Sequence, residues 1–254
     1  MSQPLATAEL RPLVDTRDHR ISYMAGTSDR LVVSLAGVGA QPKELPPFEF
    51  MGTAWDQGRN HVLLATERRR SWLNDAAYSG ELVRQIETLV EQLSIRDIVC
   101  LGNSMGAYMA LNLPQLTRVD CVIAFSPQYS MSSLHVPEEV RWSRWRDRIK
   151  EFRFPTVEAL DPSQRDYFVL HGNTVLERIH WQRFPQDPRL HHFIFRGEGH
   201  NLVQRLKDEE MLTDAVRMAI ARKPRRLRRL LEGAFDVARR ETLSPDEAHL
   251  PLGD

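Results

Sequence analysis

Along this chain the apolar residues gather in short, nearly unbroken runs. Leu31–Leu35, Val62–Ala65, Ile98–Leu101, Val122–Phe125, Tyr167–Leu170 and Phe193–Phe195 each read as a strand covered on both faces, as a parallel sheet requires. His19–Ala25 predicts a further strand, closed by a turn at Gly26–Asp29. Between the runs the spacing becomes helical. Leu82, Ile86, Leu89, Val90 and Leu93 share one face of a helix starting near Ser79. Ala107–Leu113 reads as a second helix, and Leu202–Ala221 as a third carrying Leu206, Met211, Leu212, Ala215, Val216 and Ala219. The alternation predicts a single α/β domain over residues 1–254, with a mostly parallel central sheet and helices on both faces.

Two segments depart from the alternation. Residues 127–165 are rich in Trp, Arg and Pro and predict a helical cap-like insertion at the sheet's carboxyl edge. Within it Trp142, Trp145, Ile149 and Phe152 fall at helical spacing, with arginines around them. Residues 222–241 predict a basic amphipathic helix, the run Arg222–Arg229 leading into Leu230, Leu231, Ala234, Phe235 and Ala238. The chain beyond Thr242 is expected to be loose.

Composition narrows the classes. The 254 residues carry 34 basic and 34 acidic side chains, so no net charge draws the chain to nucleic acid. No apolar stretch is long enough for a membrane span, and Met1–Asp15 lacks the pattern of a secretory signal. The two cysteines, Cys100 and Cys121, fall inside apolar runs and read as buried free thiols, which makes the cytoplasm the expected location. A homo-oligomer remains open. No cofactor is expected: there is no phosphate loop or dinucleotide fingerprint, and His191 and His192, adjacent in a strand, face opposite ways and cannot share a metal.

The chemistry concentrates at Gly102-Asn103-Ser104-Met105-Gly106, between the run ending at Leu101 and the helix starting at Ala107. A serine on a sharp strand-to-helix turn is pushed out of the sheet edge, and flanking glycines relieve the crowding. The plain alternative is a glycine-rich turn with a capping serine. Gly197 and Gly199 loosen the loop carrying His200, five residues beyond Phe195, so that an imidazole can reach the serine.

With these motifs the chain resembles the α/β-hydrolase superfamily, of serine esterase or acyltransferase type, from about His19 to about Ala221. The resemblance implies Ser104 as nucleophile and His200 as general base, in the superfamily's chain order. It implies an acid after the strand Tyr167–Leu170, where no aspartate stands. Glu177 is the first carboxylate there, with Asn173, Asp187 and Asp166 as alternatives. It also implies an oxyanion hole from the backbone N–H groups of Met105 and Val38, the latter in Ala36-Gly37-Val38-Gly39.

Arg70 and Trp72, after the run Val62–Ala65, together with Trp142 in the insertion, are candidates for binding substrate. Such a cationic, aromatic mouth suits a small-molecule or carbohydrate-bearing acyl substrate. A helix packing its aromatic face on the core, with solvated arginines outside, explains the insertion's pattern more simply. Two functions stand: a serine hydrolase or acyltransferase acting on an ester, thioester or amide, or a catalytically silent α/β-hydrolase-fold binding or scaffold module, which the missing aspartate favours.

Overall fold

The computed structural model describes residues 9–244 and 247. The strands are β1 (Leu10–Asp15), β2 (His19–Met24), β3 (Arg30–Leu35), β4 (His61–Glu67), β5 (Asp97–Asn103), β6 (Cys121–Phe125), β7 (Asp166–Gly172), β8 (Leu190–Phe195) and β9 (Val237–Arg239). The helices are α1 (Met51–Trp55), α2 (Ala76–Leu93), α3 (Met105–Asn112), α4 (Ser143–Arg146), α5 (Val175–Trp181), α6 (Leu202–Asp208), α7 (Leu212–Ile220) and α8 (Pro224–Leu231). The nine strands form one sheet in the order β1-β2-β4-β3-β5-β6-β7-β8-β9. β3 to β8 run parallel, whereas β1, β2 and β9 pair antiparallel at the margins.

Each central strand divides its side chains between two cores, because successive residues point to opposite faces. Leu31, Val33 and Leu35 pack with Leu63, Ile98, Val122 and the helices α2 and α3. Val32 packs with Leu64, Val99, Ile123 and Phe168 beneath α6, α7 and α8. This two-sided burial is why the sequence shows unbroken apolar runs. Among the described residues no helix is long and apolar enough to cross a membrane.

Four local expectations are corrected. β1 is an edge strand that the apolar pattern does not mark; its register shifts between Pro12 and Val14, where proline is tolerated. The expected helix over Leu202–Ala221 is two helices, broken where Glu210 takes a positive φ of 55°. The basic segment 222–241 is helical only to Leu231. It then returns as β9, which covers the edge of β8 by pairing Ala238 with Ile194. In the insertion only Ser143–Arg146 is helical, since Trp142 is left-handed (φ 56°) and Asn74 Oδ1 draws off the N–H of Arg153 at 2.7 Å. Its four apolar residues nonetheless pack on the core. The tail expected to be loose lies mostly outside the described residues.

The loop after β4 folds around a buried acid. Glu67 Oε1 accepts from the backbone N–H of Ser71 at 2.6 Å and from its hydroxyl at 2.7 Å. Burial outweighs these contacts and raises the Glu67 carboxyl to about 7 from an ordinary 4.5. The folded state then holds a proton that the unfolded chain releases, so this group's contribution to stability falls as pH rises from about 4.5 to about 7. Glu67→Gln keeps the acceptor without the charge. Urea unfolding should show the variant gaining on the wild type by up to roughly 3 kcal/mol between pH 4.5 and pH 8. A gap that does not change with pH would show that Glu67 ionises normally.

Candidate active site

The elbow follows from how closely three backbones approach. Ser104 takes φ 55° and ψ −119°, a strained conformation for a residue with a Cβ. A Cβ at Gly102 would collide with the backbone of Gly106, and one at Gly106 with the carbonyl of Leu35. Glycine at both positions lets α3 start directly over the end of β5, with Ser104 as its N-cap residue. Ser104 is 5% exposed.

His200 reaches it from the loop after β8. That loop packs against the end of β7, where a Cβ on Gly172 would strike the carbonyl of Glu198, and the N–H of Asn173 donates to that same carbonyl at 2.7 Å. His200 Nε2 lies 3.0 Å from Ser104 Oγ, and Nδ1 lies 2.9 Å from Glu177 Oε1. A carboxylate only accepts, so Nδ1 carries the proton and Nε2 offers its lone pair to the serine hydroxyl. The alternative acids stand elsewhere: Asp187 pairs with Arg189 and Asp166 with Arg222, while Asn173 Oδ1 is buried with no hydrogen-bond partner among the described residues.

Glu177 sits in the first turn of α5, after the N-cap residue Thr174, and is 1% exposed. Its Oε1 also accepts from Arg141 Nη1 at 2.9 Å. Arg141 turns Nε and Nη2 to Glu139, at 2.7 Å from Nη2 to Oε2, and Nη2 also donates to the carbonyl of Leu176 at 2.8 Å. Glu139 Oε2 further accepts from His180 Nε2 at 2.7 Å, and the backbone N–H of Tyr129 donates to His180 Nδ1 at 3.1 Å. With Nδ1 accepting and Nε2 donating, His180 is neutral, and burial lowers its affinity for a second proton. Burial by itself would raise both carboxyls. The bonds from His180 and Arg141 instead hold Glu139 at about 2, and those from His200, with the nearby charges of His171 and Arg141, keep Glu177 below its ordinary value.

The loop after β3 meets the elbow from the other side. The Ala36 N–H goes to Ala65 O at 3.1 Å and the Gly37 N–H to Glu49 Oε1 at 3.2 Å. Neither the Val38 N–H nor the Met105 N–H has an acceptor among the described residues. Arg70 fixes this loop through 3.0 Å bonds to the carbonyls of Val38 and Gln41.

Arg70 and Trp72 therefore do not line a mouth, as the sequence suggested. Both are 0% exposed, because positive φ at Arg70, Trp72 and Leu73 turns the loop inward. Trp142 does stand at the site, its ring 5.1 Å from that of His200 and stacked under Arg141 at 4.5 Å. The sequence pattern did not point to Gln128, three residues past Phe125, whose Nε2 donates to Ser104 Oγ at 3.1 Å. Its place just beyond a strand's carboxyl end was the available signal.

No protein-family model matches the sequence, and no curated protein matches it. Solved structures match the fold. A capsule O-acetyltransferase of Neisseria meningitidis serogroup A, as a variant in complex with CoA, superposes at TM-score 0.52 and 12% identity, over 82% of this chain and 97% of that one. An esterase of Pyrococcus furiosus matches at TM-score 0.53 and 14% identity, over 89% and 91%. A proline iminopeptidase-related protein of Thermus thermophilus matches at 0.53 and 15%, over 84% and 97%. The fold of this chain is the α/β-hydrolase fold.

Arg141 is the cation that two buried carboxylates share. Arg141→Met should therefore cost roughly 3–5 kcal/mol in urea unfolding at neutral pH, with the deficit shrinking as acid protonates the carboxylates. A loss below about 0.5 kcal/mol would mean that the guanidinium neutralises neither.

Proposed function

We propose that this chain is a serine hydrolase that cleaves an ester, thioester or amide through an acyl-enzyme, and that it also transfers the acyl group to a hydroxyl acceptor. The observation that carries the proposal is the continuous chain Ser104 Oγ–His200 Nε2, 3.0 Å, and His200 Nδ1–Glu177 Oε1, 2.9 Å. His200 takes the serine proton as Oγ attacks the acyl carbon, and Glu177 steadies the imidazolium that results. The Met105 and Val38 N–H groups receive the oxyanion of the tetrahedral intermediate. His200 then protonates the leaving group. Water or a hydroxyl acceptor next gives its proton to His200 and releases the acyl group from Oγ.

The likeness to an O-acetyltransferase in complex with CoA supports keeping thioester donors and hydroxyl acceptors within the substrate class. The likeness to an esterase supports hydrolysis. Trp142 flanks the reacting centre. The alternative of a silent binding module rests on the missing aspartate, and the Glu177–His200 contact supports the catalytic reading against it.

Hydrolysis of p-nitrophenyl acetate tests the roles. Ser104→Ala and His200→Ala should each lower turnover by roughly 10³-fold or more while the far-ultraviolet circular dichroism is unchanged. Glu177→Gln should lower it by about 10²–10⁴-fold. Wild-type turnover in the glutamine variant would remove Glu177 from the mechanism, and wild-type turnover in Ser104→Ala would end the proposal.

A further inference from the structure

Gln128 is wholly buried, yet it belongs to no helix or strand, and its side chain reaches the atom proposed to react. The backbone around it is pinned on both sides by buried histidines. His171 Nε2 donates to the carbonyl of Pro127 at 2.8 Å, and the N–H of Tyr129 donates to His180 Nδ1 at 3.1 Å. The carboxamide itself is oriented by Trp72, whose Nε1–H donates to Gln128 Oε1 at 3.1 Å. An indole N–H is only a donor, so it must face the carboxamide oxygen. That leaves the NH₂ group facing Ser104 Oγ at 3.1 Å. Trp72, 0% exposed, is carried by the loop in which Arg70, Trp72 and Leu73 all take positive φ, a strained arrangement.

Ser104 Oγ thus accepts from Gln128 while giving its proton to His200. On the reading of Ser104 as nucleophile, on which this rests, we infer that Gln128 is a further catalytic residue, a fixed donor that stabilises Oγ as the leaving group when the acyl-enzyme breaks down. In the resting state Oγ already accepts this bond, so forming the acyl-enzyme gains little from it. In the acyl-enzyme Oγ is an ester oxygen and a poor acceptor. During deacylation, water or a hydroxyl acceptor adds to the acyl carbon and gives its proton to His200 Nε2. The C–Oγ bond then breaks, Oγ leaves with the electron pair and recovers the proton from Nε2. Negative charge grows on Oγ in that last step, and there the Gln128 N–H bond strengthens. The donors at Met105 and Val38 serve the carbonyl oxygen, a different atom.

The test is the lifetime of acetyl-Ser104, formed with p-nitrophenyl acetate in the full-length chain and followed by intact mass. Gln128→Leu should slow its decay roughly 10–100-fold while its formation rate stays within about threefold of wild type. In steady state kcat and KM should fall together, leaving kcat/KM nearly constant. Gln128→Glu keeps the shape and the bond from Trp72 but cannot donate once ionised. Its acetyl-enzyme should decay slowly at high pH and recover toward wild type as acid returns a proton to the carboxyl. A merely structural role would produce no such pH dependence. Decay at the wild-type rate in both variants would overturn the inference alone. A wild type that forms no acetyl-Ser104, or acetylation that survives Ser104→Ala, would instead overturn the reading beneath it.

Discussion

Oε1 of Glu177 takes two charge-assisted contacts at once, 2.9 Å from His200 Nδ1 and 2.9 Å from Arg141 Nη1. A carboxylate that is 1% exposed stays ionised in a low-dielectric interior only if positive charge and donors surround it. Arg141 supplies the charge, but it must also satisfy Glu139, and Glu139 needs the second donor that His180 provides. His180 meanwhile accepts the N–H of Tyr129 and so fixes the segment that carries Gln128. One constraint, keeping the Glu177 charge beside His200, therefore sets the path of the insertion from Gln128 to Trp142. Within the insertion Arg141 is the counter-charge that the buried Glu177 needs.

The opposite side of the site stores strain instead. Ser104 takes a positive φ at the elbow, with ψ −119°, and Arg70, Trp72 and Leu73 take positive φ in the loop after β4. Such conformations persist only where the surroundings over-determine them. Around the elbow the surroundings are backbone, through the glycines at 102 and 106. In the β4 loop they are the buried Glu67 below and the Arg70 bonds to Val38 and Gln41 above. The serine is thus approached by two rigid supports, one holding its flanking N–H groups and one holding the Gln128 carboxamide.

The sheet was legible because burial on both faces writes itself into the sequence as runs such as Leu31–Leu35 and Val122–Phe125. Ser104 could be placed because Gly102 and Gly106 are demanded by the close backbone approach at the elbow, and His200 because its loop turns at Gly197, with φ 77°. Glu177 was legible only by position, as the first carboxylate after β7. Arg141, Glu139 and His180 were not legible, and Gln128 only through its place just beyond the carboxyl end of β6. Their meaning comes from contacts between residues far apart in sequence, such as Arg141 with Glu177, 36 positions away. Arg70 and Trp72 misled for a related reason: their positive φ angles reverse the outward direction that a loop at the sheet edge suggests. The insertion's aromatic spacing predicted its packing but not its shape, since successive turns bury the same residues that a helix would.

The central claim is that Ser104 is an activated nucleophile, and its most direct test is covalent capture. A fluorophosphonate probe added to the native chain, followed by digestion and mass spectrometry, reads the modified residue itself and needs no knowledge of the substrate. One adduct is expected, on Ser104, that disappears in the heat-unfolded chain and forms at a strongly reduced rate in His200→Ala. A folded wild-type chain left unmodified, or modified equally when His200 is removed, would contradict it.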